Sequence, residues 1–175
     1  MSRIVVTGGA GFIGSHAADA LLGAGHDVVV VDDLSAGRRE HVPVGATFVH
    51  APLDDALDEV LPGADAVWHL AANPEVRTGE TDPQAHYEQN VGVTWRLLQA
   101  MRRHDVGSLL FTSTSTVYGE ATVRPTPEDY GPLLPISVYG GAKLACEALI
   151  SSFAGTFGMD ALLFRFANVV GRSGP

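Results

Sequence analysis

The chain has 175 residues, with 11 Lys+Arg against 20 Asp+Glu for a formal net charge of −9, and 46% of it is hydrophobic. That acidity, with no Lys/Arg block, excludes the electrostatic footprint of a nucleic-acid binder; a single cysteine excludes an internal disulfide; and the apolar fraction excludes a disordered tail. No apolar run approaches the roughly 18 residues of a membrane span, and no signal-peptide core precedes the first strand-like run, so the reading is a cytoplasmic domain whose 20 glycines imply close backbone approach to a partner.

Along the chain, short β-branched runs alternate with helical patterns. Arg3–Thr7 (RIVVT) reads as a buried strand. Phe12–Ala24 reads as a helix with Ile13, Ala17, Ala20, Leu21 and Ala24 on one face, ended by Gly25. Asp27–Val31 (DVVVV) is a second strand, and its unbroken apolarity implies burial on both faces. Thr47–Val49 is a short third strand, followed by a helical stretch from Leu53 to Leu61, and Ala66–Leu70 is a fourth strand. Asp82 and Pro83 suit the N-cap and first position of a long helix with Tyr87, Val91, Trp95, Leu98 and Met101 along one face. Ser108–Thr112 is a fifth strand, Ser137–Phe157 a helix and Ala161–Phe166 a sixth strand. The β-α-β order predicts a doubly wound α/β domain, a parallel sheet with helices on both faces. Pro125, Pro127, Pro132 and Pro135 mark one loop too long for a mere connector, which points to a functional role.

Between the first strand and the first helix lies Thr7–Gly14 (TGGAGFIG). It satisfies G-x-x-G-x-x-G through Gly8, Gly11 and Gly14, and G-x-G-x-x-G through Gly9, Gly11 and Gly14. Such a turn lets backbone amides approach a pyrophosphate and aims a helix N-terminus at its charge. Asp32 ends the second strand, 18 residues beyond Gly14, where its carboxylate can accept hydrogen bonds from an adenosine ribose. A carboxylate there repels a 2′-phosphate, which favours NAD over NADP; Arg38 and Arg39 read as a solvated turn.

Tyr139 and Lys143 stand at i and i+4, stacked on one helix face. A phenol with a reference pKa near ~10 needs a nearby cation to ionise at neutral pH, and Lys143 supplies one. Thr114 follows the fifth strand, at the end of the sheet where ligands of such folds bind. Asn90, in the long helix, reads either as a site residue or as an exposed polar position. The seven histidines show no paired metal spacing. His69 reads as a satisfied core residue, Cys146 as a small buried hydrophobe, and Trp68 and Trp95 as packing residues.

These segments together resemble the extended short-chain dehydrogenase/reductase family, most closely its sugar-nucleotide epimerases. The matching landmarks are Thr7–Gly14, Asp32–Gly37 (DDLSAG), His69–Ala72 (HLAA), Asn90-Val91, Ser113–Gly119 (STSTVYG), Tyr139–Lys143 and Arg165–Gly171 (RFANVVG). The resemblance implies a UDP-hexose 4-epimerase reaction with NAD as cofactor and a nucleotide sugar as substrate. In it Thr114, Tyr139 and Lys143 form the catalytic set, and Tyr139 takes the proton from the sugar C4 hydroxyl as hydride passes to NAD. Gly8, Gly11, Phe12, Ile13 and Gly14 would hold the pyrophosphate, and Asp32, Asp33, Leu34, Ser35 and Gly37 the adenosine ribose side. Leu53 would sit by the adenine, and Leu70, Ala71, Ala72 and Pro74 along the cofactor, with Asn90 at the site. Ala167 would lie by the nicotinamide, and Asn168 would contact the substrate phosphate. A homodimer through the helices Pro83–Arg103 and Ser137–Phe157 is implied as well.

Three departures stand out. Thr114 stands where many members have serine, and the hydroxyl survives. Pro52 replaces the usual adenine-binding aspartate, with Asp54 the candidate substitute. Ser115-Thr116 replaces the acid pair of related dehydratases, which argues for epimerisation over water elimination. Family members also continue for nearly as many residues again, so residues 1–175 are expected to be the NAD-binding portion without the substrate lobe, leaving apolar surface near the sixth strand. Two alternatives are another nucleotide-sugar dehydratase or reductase and an inactive NAD-binding module.

Overall fold

The structure is a computed structural model that describes residues 1–171; the last four residues of the expected 1–175 domain lie outside the described residues. Six strands form one sheet in the order β3-β2-β1-β4-β5-β6: β1 Arg3–Thr7, β2 Asp27–Asp32, β3 Thr47–His50, β4 Ala66–His69, β5 Ser108–Thr114 and β6 Asp160–Phe166. Every neighbouring pair is parallel, as the β-α-β order requires. The chain reverses its direction of winding between β1 and β4, which opens a crevice at their carboxyl ends. The strand assignments drawn from the sequence hold, and β5 runs two residues further than expected, to Thr114 itself.

The two faces of the sheet are covered unequally. Val5, Val29, Val31, Val67, Leu109 and Phe111 point to one face, where they pack with α2 (Leu53–Val60), the later helix α5 (Val93–Arg103) and α6 (Val138–Phe157). Ile4, Val6, Val28 and Val30 point to the other, where α1 (Phe12–Gly23) contributes Ala18, with Leu21 and Leu22 packed alongside. The unbroken valine run of β2 is therefore buried on both sides. Beyond the reach of α1, the same face carries Trp68, with its ring 5.9 Å from that of Phe164, while Leu162 on the edge strand is 53% exposed. This is the apolar surface expected near the sixth strand.

Helix ends follow their local chemistry. The amides of Gly25 and His26 return to the carbonyls of Leu22 and Leu21 and close α1. On α1 the buried positions are Gly14, Ser15, Ala17 and Ala18, so Ala20 and Ala24, expected on the inner face, lie outside it. The Ser137 hydroxyl accepts the Gly140 amide at 3.0 Å and starts α6. Asp82 caps with Pro83 at the first helical position, after a short turn of helix, α3 (Thr78–Thr81).

The expected single long helix is not continuous. It runs as α4 (Pro83–His86), then a π-turn over Tyr87–Gly92, then α5. The extra residue of a π-turn changes the phase of the helix. Asn90, Thr94, Leu97 and Met101 point inward, whereas Tyr87 is 60% and Trp95 43% exposed. Those two were expected on the inner face; the phase change turns Tyr87 outward, whereas Trp95, in the same regular helix as buried Leu98 and Met101, sits at the margin of the inner face and packs edge-on against Phe153 at 5.5 Å.

Candidate active site

A cavity of about 780 Å³ occupies the crevice at the carboxyl ends of β1, β2, β4 and β5. Its floor is the glycine turn. Gly8 adopts φ +69°, and a Cβ there would lie 2.7 Å from the Ala71 amide, so only glycine lets the β1 turn pass the β4 loop. A Cβ on Gly14 would overlap the Gly8 carbonyl. Gly9 behaves differently: its missing side chain leaves room for Val30, not for a ligand. The register that lines the cavity is therefore Gly8, Gly11 and Gly14. Helix α1 has neither a side-chain cap nor an acidic residue in its first turn, leaving its amides for an anion.

Thr7, His69 and Thr94 form a buried chain beneath this floor that sequence reasoning missed. The amides of Leu70 and Ala71 both donate to Thr7 Oγ1 at 3.2 Å, which leaves the hydroxyl proton for His69 Nδ1, 2.7 Å away. The ring proton then sits on Nε2, facing Thr94 Oγ1 at 3.2 Å. Burial, with Lys143 nearby, pushes the His69 pKa down to about 3, so the ring stays neutral. This is the satisfied core histidine expected, with the added task of fixing the loop after β4.

Asp32 ends β2 and is 9% exposed. Its Oδ2 accepts the Ala10 amide at 3.0 Å and its Oδ1 the Leu34 amide at 2.8 Å, so it also braces the glycine turn and holds Leu34 at φ +59°. Asp33 is exposed and accepts from both the amide and the hydroxyl of Ser35. Arg38 pairs loosely with Glu40 at 3.8 Å, and Arg39 stacks 4.2 Å above Phe48. Neither arginine lines the cavity.

Tyr139 and Lys143 both line the opposite wall. The Lys143 ammonium is buried, donates to the Thr112 carbonyl at 2.9 Å and lies 4.7 Å from the centre of the Phe111 ring. Burial lowers its pKa to about 8, against the partly compensating pull of Cys146 and Glu147. Burial raises the Tyr139 phenol, with Thr114 pulling the other way. The expectation that Lys143 holds this phenol low is thus not met: the ammonium turns to a backbone carbonyl, and desolvation dominates at the tyrosine. Thr114 is 8% exposed and caps the turn after β5, its Oγ1 accepting from the amide and hydroxyl of Thr116 at 3.2 Å. Cys146 is buried.

Asn90 is 2% exposed, which removes the exposed-surface reading. Its Oδ1 accepts the Asn73 amide at 2.9 Å, and its Nδ2 reaches the Asn73 carbonyl at 3.3 Å and His86 Nδ1 at 3.1 Å. It braces the wall from behind and does not line the cavity. A second unforeseen cluster ties β5 and β6 to α6. Arg165 bonds both oxygens of buried Glu147, which also accepts from the Ser113 hydroxyl. The clue was available, since Glu147 lies one helical turn beyond Lys143.

Phe12, Ile13, Ser35, Gly37, Leu53, Leu70, Ala71, Ala72 and Pro74 all line the cavity with the glycines, Asp32 and Asp33. Leu34 and Thr114 do not. Ala167 lines a second cavity of about 820 Å³ under the proline-rich loop, with Tyr118, Arg124, Glu128 and Arg165, and exposed Asn168 lines neither. Pro52 takes part in the first wall beside Leu53. Asp54, the candidate substitute for an aspartate at Pro52, is paired with Arg96, whose Nε donates at 2.8 Å. Among the described residues, no group of three or more His, Cys, Asp or Glu could hold a metal ion, and no helix is long and apolar enough to cross a membrane.

Strand order, switch-point cavity and glycine turn together define a dinucleotide-binding Rossmann fold. The NAD dependent epimerase/dehydratase family model matches residues 4–175, and the chain belongs to that family. Its sequence is 41% identical to the UDP-glucose 4-epimerase of Corynebacterium glutamicum, over 98% of this chain and 53% of that protein. Its structure superposes on a crystal structure of a UDP-galactose 4-epimerase with a TM-score of 0.90 and 50% identity, covering 97% of this chain and 57% of the other. It also superposes on the Thermus thermophilus UDP-glucose 4-epimerase in complex with NAD, with a TM-score of 0.91 and 36% identity, covering 99% and 57%. The chain thus spans about half the length of the relatives it matches.

Proposed function

We propose that the chain binds NAD in the 780 Å³ cavity and forms the NAD-binding half of a UDP-hexose 4-epimerase that interconverts UDP-glucose and UDP-galactose. The carrying observation is that one cavity gathers a glycine turn at an uncapped helix head, the carboxylate of Asp32 and the Tyr139–Lys143 pair. The backbone cradle that a Cβ at Gly8 would fill suits a pyrophosphate. Gly8, Gly11, Phe12, Ile13 and Gly14 would hold the diphosphate, and Asp32 and Asp33, with Leu34, Ser35 and Gly37, the adenosine ribose. Leu53 would meet the base, and Leu70, Ala71, Ala72 and Pro74 would follow the cofactor, braced by Asn90. Lys143 would hold the second ribose, with Ala167 near the nicotinamide.

When bound, NAD would supply the acceptor for a hydride from the sugar C4 and the donor for its return. The proton belongs to this chain's residues. Tyr139 takes it from the C4 hydroxyl and gives it back to the same oxygen, Thr114 hydrogen-bonds that oxygen, and Asn168 contacts the sugar-nucleotide phosphate. Because burial raises the Tyr139 phenol, its ionisation depends on positive charge that the cofactor would bring beside it. Ser115 and Thr116 offer no carboxylate, which favours epimerisation over dehydration. The exposed aromatic residues Trp95 and Phe157 on α5 and α6 support a homodimer through these helices. The acidic composition and single cysteine fit a cytoplasmic role in carbohydrate metabolism.

The test is a Tyr139→Phe substitution in a chain that also carries the carboxy-terminal half its relatives have. UDP-galactose turnover should fall by about 10²–10⁴-fold, and unchanged turnover contradicts the role. The 175-residue chain alone should bind NAD with little or no turnover.

A further inference from the structure

We infer that the base-binding end of the cleft recognises a purine by shape and backbone alone, so that a 6-oxopurine dinucleotide is accepted about as well as NAD. The inference rests on the proposal that this cleft binds NAD. Asp32, at the ribose position, fixes the direction of the ligand, and the base lies beyond it, over the turn after β3 lined by Ala51, Pro52 and Leu53.

Pro52 contributes a ring to this wall and neither a carboxylate nor an amide proton. It is the N-cap of α2 without any side-chain cap bond, and Leu53, next in line, has an amide with no intrahelical acceptor. Of the two carboxylates in this first turn, Asp54 and Asp55, only Asp54 lines the cleft, and both its oxygens are taken. Arg96 Nε donates to Oδ1 at 2.8 Å, and Arg96 Nη2 lies 2.8 Å from Oδ2. Gly92 makes room for that guanidinium, because a Cβ there would lie 3.0 Å from Nη1. The remaining lining carboxylates serve backbone partners at the ribose end, Asp32 with Ala10 and Leu34, and Asp33 with Ser35. Adenine presents an amino donor beside an acceptor nitrogen; hypoxanthine presents a carbonyl acceptor beside an N–H. A carboxylate at this edge would bond the amino group of the first and repel the carbonyl of the second; a proline does neither, and the free Leu53 amide can donate to the acceptor nitrogen of the one or to the carbonyl of the other.

Titration calorimetry of the 175-residue chain with NAD and with nicotinamide hypoxanthine dinucleotide tests this in the wild type, Pro52→Asp and Asp54→Asn. Aspartate is a favoured N-cap residue, so Pro52→Asp keeps the start of α2 intact. The wild-type affinities should agree within about threefold. Pro52→Asp should raise the preference for NAD by about tenfold or more, the worth of one charge-assisted hydrogen bond, and Asp54→Asn should leave the ratio where it was. A wild-type preference for NAD of about tenfold or more, or a ratio that moves in Asp54→Asn and not in Pro52→Asp, overturns the inference. A folded chain that binds neither dinucleotide overturns it together with the NAD-binding proposal, an outcome distinct from a shifted ratio.

Discussion

At Lys143 an ammonium rests between the Thr112 carbonyl and the Phe111 ring, and burial brings its pKa to about 8. An unfolded chain keeps that proton up to about 10.4. Between these values the unfolded state binds more protons, so this residue makes stability rise with pH. Burial raises both Cys146 and Tyr139, whose folded forms keep protons that the unfolded chain loses above their ordinary values, an opposite trend. Comparing the wild type with Lys143→Met isolates the lysine. In urea unfolding, the advantage of methionine over lysine should shrink by on the order of 2 kcal/mol between about pH 8 and pH 10. A pH-independent difference contradicts the desolvated ammonium. His69 has the same sign at lower pH: its folded pKa is about 3, so its contribution is complete above about 6.5 and is lost as the pH falls toward 3. The Tyr139–Lys143 pair was legible because i, i+4 spacing is a local property of a helix. The direction of the Lys143 ammonium was not, since its acceptor lies on a strand 31 residues away.

Asn90 shows what an element does for the site. The π-turn over Tyr87–Gly92 points its carboxamide inward, where it bonds both backbone groups of Asn73 and the ring of His86. Asn90→Ala strands these partners in a buried place. It should lower the unfolding free energy by about 1–3 kcal/mol and weaken NAD binding by about tenfold as the loop after β4 loosens. Urea unfolding and NAD titration check both effects, and a loss of stability without a loss of affinity would confine Asn90 to folding. The strands, the cap at Asp82, the span of α6 and the stop at Gly25 were readable because they depend on residues within a turn of each other. The π-turn carries no comparable composition signal. One inserted residue rotates the helical turns on its amino-terminal side by about 100° relative to those on its carboxy-terminal side, which is why Tyr87 was placed on the wrong face; Trp95 shares α5 with buried Leu98 and Met101 and lies at the edge of their stripe.

Over the molecule as a whole, the sheet carries three major helices on one face and α1 on the other, leaving Trp68, Leu162 and Phe164 thinly covered. The relatives are about twice as long, and the exposed sheet face and the 820 Å³ cavity under the proline-rich loop adjoin β6. The glycine turn, Asp32 and the wall of Tyr139 and Lys143 nevertheless form one cleft within this chain. That cleft is the centre of the account, and calorimetric titration of the purified 175-residue chain with NAD and NADP tests it most directly. NAD should bind and NADP should bind at least about tenfold more weakly, because Asp32 repels a 2′-phosphate and neither Arg38 nor Arg39 lines the cavity. A Gly14→Val chain, whose side chain would collide with the Gly8 carbonyl, should bind neither. A folded wild-type chain that takes up no NAD, or that binds NADP as tightly as NAD, would contradict the account.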